Sequence, residues 1–157
     1  MKPPAIELDA TDRRLLSLLQ ADCALTNDDL ASRAHVSPAT SLRRVRKLVE
    51  AGVIERRIAI VNAEAAGGGA TAIVEVTLEQ QSAELLDRFE HHVAAAAEVQ
   101  QCYRVASGPD FVLIVFVPDM AAYHAFAHRV LTAQANVRNV RSFFAVKRSK
   151  FEPVIPL

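Results

Sequence analysis

The segment from Ser37 to Leu48 combines cationic and hydroxyl side chains with an apolar stripe on one predicted helix. It holds four basic residues and no acid, although the whole chain of 157 residues has 18 basic and 18 acidic residues. At about 100° per residue, one side of the helix is apolar and contains Leu42, Val45, Leu48 and Val49. The opposite side contains Thr40, Arg43 and Lys47. Such a helix can pack through its apolar side while it presents cations and hydroxyls to a polyanion.

The residues around this helix give it a defined start, a defined end and a partner helix before it. Ser37 predicts an N-cap, Pro38 the first helical position, and Gly52 a left-handed residue that ends the helix. Thr26 and Asp29 form a variant capping box at the start of the preceding, shorter helix. A tight turn joins the two helices. Together these signals predict a helix-turn-helix.

In a helix-turn-helix, the N-terminal part of the second helix enters the major groove of double-stranded DNA. Thr40 and Ser41 are short enough for base edges or phosphates, and Arg43 has the donors that a guanine accepts. The other cations suit phosphates, which set position and affinity rather than sequence. Residues 55–61 alternate as in a strand and predict a short wing near the DNA backbone. The predicted DNA-binding residues are Ser37, Pro38, Ala39, Thr40, Ser41, Arg43, Arg44, Arg46, Lys47, Arg56 and Arg57.

The residues alone leave two alternatives to DNA contact open. An amphipathic helix commonly has a solvated charged face that binds nothing. Arg44 in particular can pair with an acid such as Asp12 instead of touching a phosphate. The caps of both helices favour DNA binding over a solvated face, and they leave the role of Arg44 undecided.

The pattern changes after residues 62–70, a glycine-rich stretch of small residues that predicts a linker. Beyond it, β-branched and apolar runs alternate with helical periods in the order β-α-β-β-α-β. That order predicts a ferredoxin-like domain, an antiparallel sheet with two helices on one face. The fold class is therefore α+β, with a winged helix-turn-helix domain over residues 1–61 and a ferredoxin-like domain over residues 71–157.

The apolar run at residues 111–117 predicts a strand that is buried on both faces or covered by a partner. Two helices cover only one face of the sheet, so the other face would expose apolar side chains to water. We expect two such sheets to pack face to face in a homodimer. A two-fold dimer also suits recognition of a two-fold DNA site.

Composition narrows the class of protein. Half of the chain is apolar, which allows a substantial core. Cys23 and Cys102 lack the spacing of a metal site or a disulfide framework and are expected to be reduced thiols. The start, MKPPAIELD, lacks the apolar run of a signal peptide, and no stretch has the length of a membrane helix. These features predict a cytoplasmic, nucleoid-associated protein that does not enter a membrane.

The order of the parts resembles the bacterial and archaeal leucine-responsive/asparagine-regulator (Lrp/AsnC) family over nearly the whole chain. The matching motifs are Leu8-Asp9-x-x-Asp12, Ala31-x-x-Ala34-x-Val36-Ser37-Pro38, Arg44-Val45-x-x-Leu48, Gly52-Val53-Ile54, Gly108-x-Asp110-Phe111 and Val117-Pro118-Asp119-Met120. The resemblance implies an oligomeric transcription regulator, often an octamer. It also implies a small effector, commonly an amino acid, bound near the loop between the two central strands.

That loop provides the expected effector site. Asp110 would accept the ammonium of an amino acid, and backbone amides with serine hydroxyls would bind its carboxylate. The predicted effector-binding residues are Ser107, Gly108, Pro109, Asp110, Phe111 and Ser142. The loop is one residue shorter than is typical of the family, Pro109 removes a donor, and Val140 replaces a threonine. The effector is therefore expected to be unusual, apolar or absent, and Gly-Pro-Asp can also be only a hairpin turn.

Two further functions stay open. Some tetrapyrrole decarboxylases of the sirohaem type resemble the same two-part fold and use histidines, for which His91, His92, His124 and His128 are candidates. These histidines fall on the solvated side or the rim of their helices without a third ligand, so we expect no enzyme activity, no metal and no cofactor. An architectural DNA-binding protein without an effector is the other alternative.

Overall fold

The computed structural model describes residues 7–157, which form two compact units. The first unit consists of the chain up to Ile60 together with the tail Lys150–Leu157, and the second unit is Val61–Ser149. The predicted second domain, 71–157, differs from this division because its last eight residues pack with the first unit. The first domain was predicted to begin at residue 1, and the first residues were predicted to lack a signal peptide. Residues 1–6 lie outside the described part of the chain.

Three helices build the first unit: α1 (Ala10–Ala21), α2 (Asn27–Ala34) and α3 (Pro38–Glu50). Each begins at a side-chain cap, and the caps are Asp9, Thr26 and Ser37. Apolar residues one helical turn apart meet between the helices in a small core of Leu15, Leu19, Leu30, Ala34 and Val45. The predicted caps and the helix-turn-helix are thus confirmed.

The turn between α2 and α3 depends on one residue with a left-handed backbone. His35 has φ 56° and ψ 46°, and it ends α2 by donating its backbone N–H to the last turn of that helix. Glycine is the usual residue in this conformation, and histidine adopts it at some cost. Gly52, with φ 70°, follows the end of α3 in the same way, as the sequence predicted.

The buried side of α3 agrees with the predicted stripe at Val45 and Leu48 and differs from it at the other positions. Ser41, Val45 and Leu48 are buried, whereas Leu42 is 53 % exposed and Val49 is 48 % exposed. The prediction of Leu42 and Val49 as core residues was therefore wrong. The apolar sector of this helix is wider than its contact with the neighbouring helices, and the packing uses the edge that contains the small Ser41.

The predicted wing strand over residues 55–61 was also wrong. The segment is exposed along its whole length and belongs to no strand. A strand must pair its backbone N–H and C=O groups with a neighbour, and the described part of the first unit is helical and offers no strand edge.

The second unit follows the predicted order of elements: β1 (Ala70–Leu78), α4 (Ala83–Ala94), β2 (Val99–Arg104), β3 (Phe111–Val117), α5 (Met120–Phe126) and β4 (Val137–Phe144). A wider π-helical segment, Ala127–Thr132, continues α5. The strands form one antiparallel sheet in the order β2-β3-β1-β4. This βαββαβ arrangement confirms the predicted α+β class and the ferredoxin-like domain.

The helices of the second unit cover one face of its sheet. Their buried side chains include Phe89, Val93, Tyr123, Phe126, Val130 and Leu131. The burial of β3 alternates: Phe111, Leu113, Val115 and Val117 are buried beneath the helices, and the residues between them are only half-buried. The expected burial of β3 on both faces is therefore not complete within one chain.

Two polar details differ from the sequence expectations or add to them. The ring of His92, predicted to be solvated, is half-buried, with Nε2 3.1 Å from the carbonyl oxygen of Val130. Cys23 and Cys102 are free thiols and half-buried.

Within residues 7–157, no helix combines the length and apolar character that crossing a membrane requires.

Candidate functional site

The start of α3 is held in place by a small set of hydrogen bonds. Ser37 Oγ accepts the Thr40 backbone N–H at 3.2 Å and donates its own hydrogen to Thr40 Oγ1 at 2.9 Å. Asn27, at the start of α2, donates from Nδ2 to the Pro38 carbonyl at 3.0 Å. Arg14 of α1 donates to the Ala34 carbonyl at 2.7 Å, just before the turn. The turn and the first residues of α3 therefore have little freedom to move.

Asn27 and Arg14 were missed in the sequence analysis. Both act on backbone carbonyls of other helices, and a contact of that kind leaves no periodic or spacing signal. Their side chains position the helix-turn-helix. Asn27 at the first position of α2 is the more recognisable of the two, because amide side chains are favoured at helix ends.

Three predicted cations project from α3 into solvent. Arg43, Arg46 and Lys47 are exposed, and within residues 7–157 none of them pairs with a carboxylate. Ser37, Pro38 and Ala39 are exposed at the start of the same helix, and Thr40 is half-buried. Arg56 and Arg57 are exposed in the extended segment that follows α3. This surface has the positive charge and the hydroxyl donors that a phosphate backbone requires.

Arg44 does not belong to this free set of cations. Its Nη1 lies 2.7 Å from Asp9 Oδ2 and 2.8 Å from Asp12 Oδ1, so it joins α3 to the start of α1. The pKa of Asp9 lies below its ordinary value, chiefly because the Asp12 backbone N–H binds the carboxylate and next because Arg44 does. The same carboxylates raise the pKa of Arg44. The prediction of Arg44 as a DNA-binding residue is corrected in favour of the alternative, an ion pair with Asp12.

Ser41 is the second predicted DNA-binding residue that the structure contradicts. Its side chain is fully buried, and its Oγ has no hydrogen-bond partner within the described chain. It faces the neighbouring helices because it continues the stripe of Val45 and Leu48. A buried hydroxyl cannot touch base edges, so the small size of Ser41 is what matters in the packing.

The loop between β2 and β3 is a tight turn with a fixed aspartate. Gly108 has φ 89°, which favours glycine. Asp110 Oδ2 accepts the Leu78 backbone N–H at 2.7 Å, and the Asp110 N–H donates to the Val76 carbonyl at 2.9 Å. Asp110 therefore anchors the loop to β1 through Oδ2, and its contact with an ammonium group stays a prediction. Phe111 is fully buried in the core, which corrects its prediction as an effector-binding residue.

The other predicted effector residues have different surroundings. Ser107 and Gly108 are exposed, and Pro109 is half-buried. Ser142 lies in β4 opposite Val74, and its hydroxyl shares a hydrogen bond with the Tyr123 hydroxyl. The Ser142 side chain is therefore engaged with α5, which corrects its prediction as a free hydroxyl of the loop site.

The histidine candidates form no metal centre within residues 7–157. His124 and His128 are exposed, and no group of three histidine, cysteine or acidic side chains that could hold a metal ion occurs in this range. His91 is exposed and bonded to the carbonyl of Asp87.

A helix-turn-helix joined to a ferredoxin-like domain is an architecture of transcription regulators, and comparisons with known proteins agree. Residues 8–55 match the family model for winged helix-turn-helix DNA-binding domains, and residues 71–155 match that of the Lrp/AsnC ligand binding domain. The chain is 38 % identical to a leucine-responsive regulatory protein of Rhizobium meliloti over 145 residues, which cover 92 % of this chain and 93 % of the relative.

Solved structures give the same result. An AsnC family transcriptional regulator from Agrobacterium tumefaciens superposes with a TM-score of 0.86 at 36 % identity, over 95 % of this chain and 97 % of that one. A transcriptional regulator of Neisseria meningitidis, solved in complex with L-Met, has a TM-score of 0.86 at 29 % identity, over 96 % and 97 % of the two chains. The chain belongs to the Lrp/AsnC family of DNA-binding transcription regulators, as the sequence motifs indicated.

The ion pairs of Arg44 generate a prediction about acid stability. The pKa of Asp9 is depressed, so the stability it gives is complete above its ordinary pKa of 3.8 and is lost as pH falls through the lower folded value. We expect Arg44→Met to reduce the free energy of unfolding at neutral pH and to weaken its fall on acidification, measured by urea unfolding between about pH 2 and pH 6. Arg43→Met, which removes an unpaired cation, is the matched control. Identical acid profiles for the two variants would contradict the bridge.

The unpaired hydroxyl of Ser41 generates a second prediction. Ser41→Ala removes a buried polar group that has no partner, so the free energy of unfolding should stay unchanged or rise by up to about 1 kcal/mol. Binding to duplex DNA should stay within about twofold of the native protein, because the exposed face of α3 is unaltered. Urea unfolding and fluorescence anisotropy measure the two quantities. A large loss of DNA affinity with native stability would restore Ser41 to the contact surface.

Proposed function

We propose that this regulator contacts duplex DNA through the exposed face of α3, with the first turn of the helix in the major groove. The observation that carries the proposal is that Arg43, Arg46 and Lys47 are exposed and unpaired among the described residues, on a helix whose start is fixed. The positive end of the helix dipole at Ser37 adds to their attraction for phosphate. Regulation then comes from binding, with no chemical step on a substrate.

The cations have different proposed partners. Arg43, one turn into the helix, has a guanidinium that can donate two parallel hydrogen bonds to a guanine. Arg46 and Lys47 lie further along the helix and meet phosphates, as do Arg56 and Arg57 in the segment after it. Pro38, Ala39 and Thr40 contact the backbone or base edges from the first turn. The partner is chromosomal DNA, so we place the protein at the nucleoid.

Two substitutions separate base contact from phosphate contact. Lys47→Ala should weaken binding to all sequences and lower the slope of log affinity against log salt by about one. Arg43→Ala should relax discrimination at one base pair, at a cost of roughly 1–3 kcal/mol on the preferred sequence. Anisotropy titrations at several salt concentrations, on a selected duplex and a scrambled one, measure both effects.

Arg138→Ala is the matched control for the loss of one charge, since Arg138 is exposed in the second unit. The Arg138→Ala variant should bind both duplexes with the affinity of the native protein. The assigned roles would be wrong if the Arg43 and Lys47 variants lost affinity equally on the two duplexes and with the same change of salt slope.

We further propose a homodimer formed through the uncovered face of the sheet. Antiparallel register places Ile114, Ile73 and Phe143 side by side across β3, β1 and β4. Ile73 is 40 % exposed and Phe143 is 45 % exposed in the single chain. An apolar row of this kind, at the centre of a sheet, favours burial against a second copy. Dimers of this kind would assemble further, with an octamer as the largest expected form.

An acidic side chain at the centre of that row tests the dimer. Ile73→Asp should convert the protein to monomers, because two buried unpaired carboxylates would meet near the two-fold axis. Val146→Asp is the matched control, since Val146 is fully exposed in the chain. Sedimentation velocity at micromolar concentration measures the mass of each. A native assembly for Ile73→Asp would contradict a sheet-to-sheet interface.

The small effector remains part of the proposal, with a revised arrangement at the loop. The related Neisseria regulator is a complex with L-Met, which supports an amino acid for this chain. The groups here that suit a carboxylate are the Ser107 hydroxyl and the Gly108 backbone N–H, because Pro109 has no N–H and the Asp110 N–H donates to the Val76 carbonyl. Asp110 holds the loop against β1 and so restrains the direction of the Gly108 N–H. Val140 and Ser142 stand at the threonine positions expected for the family, which favours an apolar amino acid.

Thermal unfolding with each of the twenty amino acids tests this arrangement. An amino acid at about 100 times its dissociation constant should stabilise the native protein by about 2.7 kcal/mol, seen as a raised melting temperature. The corresponding amino-acid amide, which lacks the carboxylate, should have no effect. If no amino acid shifts the midpoint, the protein binds DNA without such an effector and the architectural alternative is favoured.

A further inference from the structure

The C-terminal tail returns to the DNA-binding unit after the second unit is complete. The chain passes from the first unit to the second after Ile60, and it passes back at Lys150. Two covalent segments therefore join the units, where the linker alone would provide one. A second connection restricts the relative freedom of two bodies only if its far end is attached. The contacts of residues 150–157 with the first unit decide whether it is.

The side chain of Gln20 on α1 binds the backbone of the tail. The Ile155 N–H donates to Gln20 Oε1 at 2.8 Å, and Gln20 Nε2 donates to the Ile155 carbonyl at 3.1 Å. One side-chain amide thus binds both backbone groups of a single residue, as a neighbouring strand would. Such a pair of hydrogen bonds recognises an extended backbone and makes no demand on the side chain.

The tail sequence, FEPVIPL, favours the conformation that Gln20 binds. Pro156 restricts Ile155 to extended backbone, and Pro153 does the same for Glu152. This restriction lowers the entropy that the tail loses when it docks. The two prolines also lack N–H groups, so the tail cannot form a regular strand ladder with another sheet edge. The tail is therefore suited to a side-chain clamp of the kind that Gln20 provides.

We propose that residues 150–157 form a strap that docks on Gln20 and limits how far the DNA-binding unit can move from the second unit. This role goes beyond DNA binding itself, although its consequence for DNA rests on the proposed function. In a dimer, a strap on each copy restricts the separation of the two recognition helices. The protein then accepts a narrow range of spacings between two half-sites.

Hydrogen exchange followed by mass spectrometry tests the docking in the full-length protein. We expect slow exchange of one backbone amide in the peptide 151–157 of the native protein. Gln20→Ala should speed that amide about fivefold to tenfold, the factor that a hydrogen bond of ordinary net strength supplies. Gln20→Glu, which keeps an acceptor for the Ile155 N–H, should lie between the two. Ser17→Ala on the same helix is the matched control, and it should leave the exchange rate of that amide at its native value.

Selection from a random pool of 40-base-pair duplexes tests the consequence for DNA. The native protein should enrich sites with one dominant spacing of half-sites. Gln20→Ala and a chain that ends at Ser149 should enrich the same half-sites with a broader range of spacings, because α3 is unaltered in both. Circular dichroism melts of the two variants show whether each is folded.

The two measurements have separate meanings. The proposed docking is overturned if the 151–157 peptide exchanges fast in the native protein. It is also overturned if Gln20→Ala leaves the exchange rate of that peptide unchanged. Exchange that depends on Gln20 with unchanged spacings overturns the restriction, since the tail then docks without limiting the helices. If no duplex is enriched by any form of the protein, the proposed DNA contact fails, and the exchange measurement still decides whether Gln20 binds the tail.

Discussion

The arrangement of the DNA-binding unit depends on the ion pairs between Arg44 and the two aspartates at the start of α1. Asp9 and Asp12 already form the capping box of that helix, so their carboxylates are ordered before a cation arrives. Arg44 therefore meets two fixed acceptors and fixes α3 in turn. Together with the buried Ser41, Val45 and Leu48, this attachment orients the exposed face of α3. An arginine in the middle of α3 thus has a structural role between two helices.

The sequence predicted those parts of the fold that have local causes. Caps at Thr26 and Ser37, the left-handed Gly52, and the order of strands and helices all follow from short-range rules and were confirmed. The burial of Ser41 in place of Leu42 depends on how much contact two neighbouring helices make, which no local pattern contains. The wing strand failed for a similar reason, because alternation at residues 55–61 cannot supply the neighbouring strand that pairing requires.

In the candidate effector site too, the sequence predicted the local turn and missed the long-range partners of its residues. Gly108 and Asp110 were predicted from their types, and a tight turn between β2 and β3 is present. The type of a residue does not say which partner it has, and Asp110 is held by the backbone N–H of Leu78, far from it in sequence. Ser142 likewise bonds to Tyr123 across the packing of β4 and α5. Long-range hydrogen bonds of this kind arise only when the sheet is assembled.

A formally neutral chain can bind DNA because affinity depends on local phosphate contacts and not on the mean charge. With Arg46, Lys47, Arg56 and Arg57 on phosphates as proposed, one copy would release counterions worth a salt slope of roughly four, and two copies roughly seven. If the protein dimerises as proposed, two copies on one site would double the number of phosphate contacts, whatever the bases are. In that case, dimer formation on the apolar sheet face and DNA binding on α3 would be linked: a change that weakens the first would weaken the second, although the two surfaces share no residue.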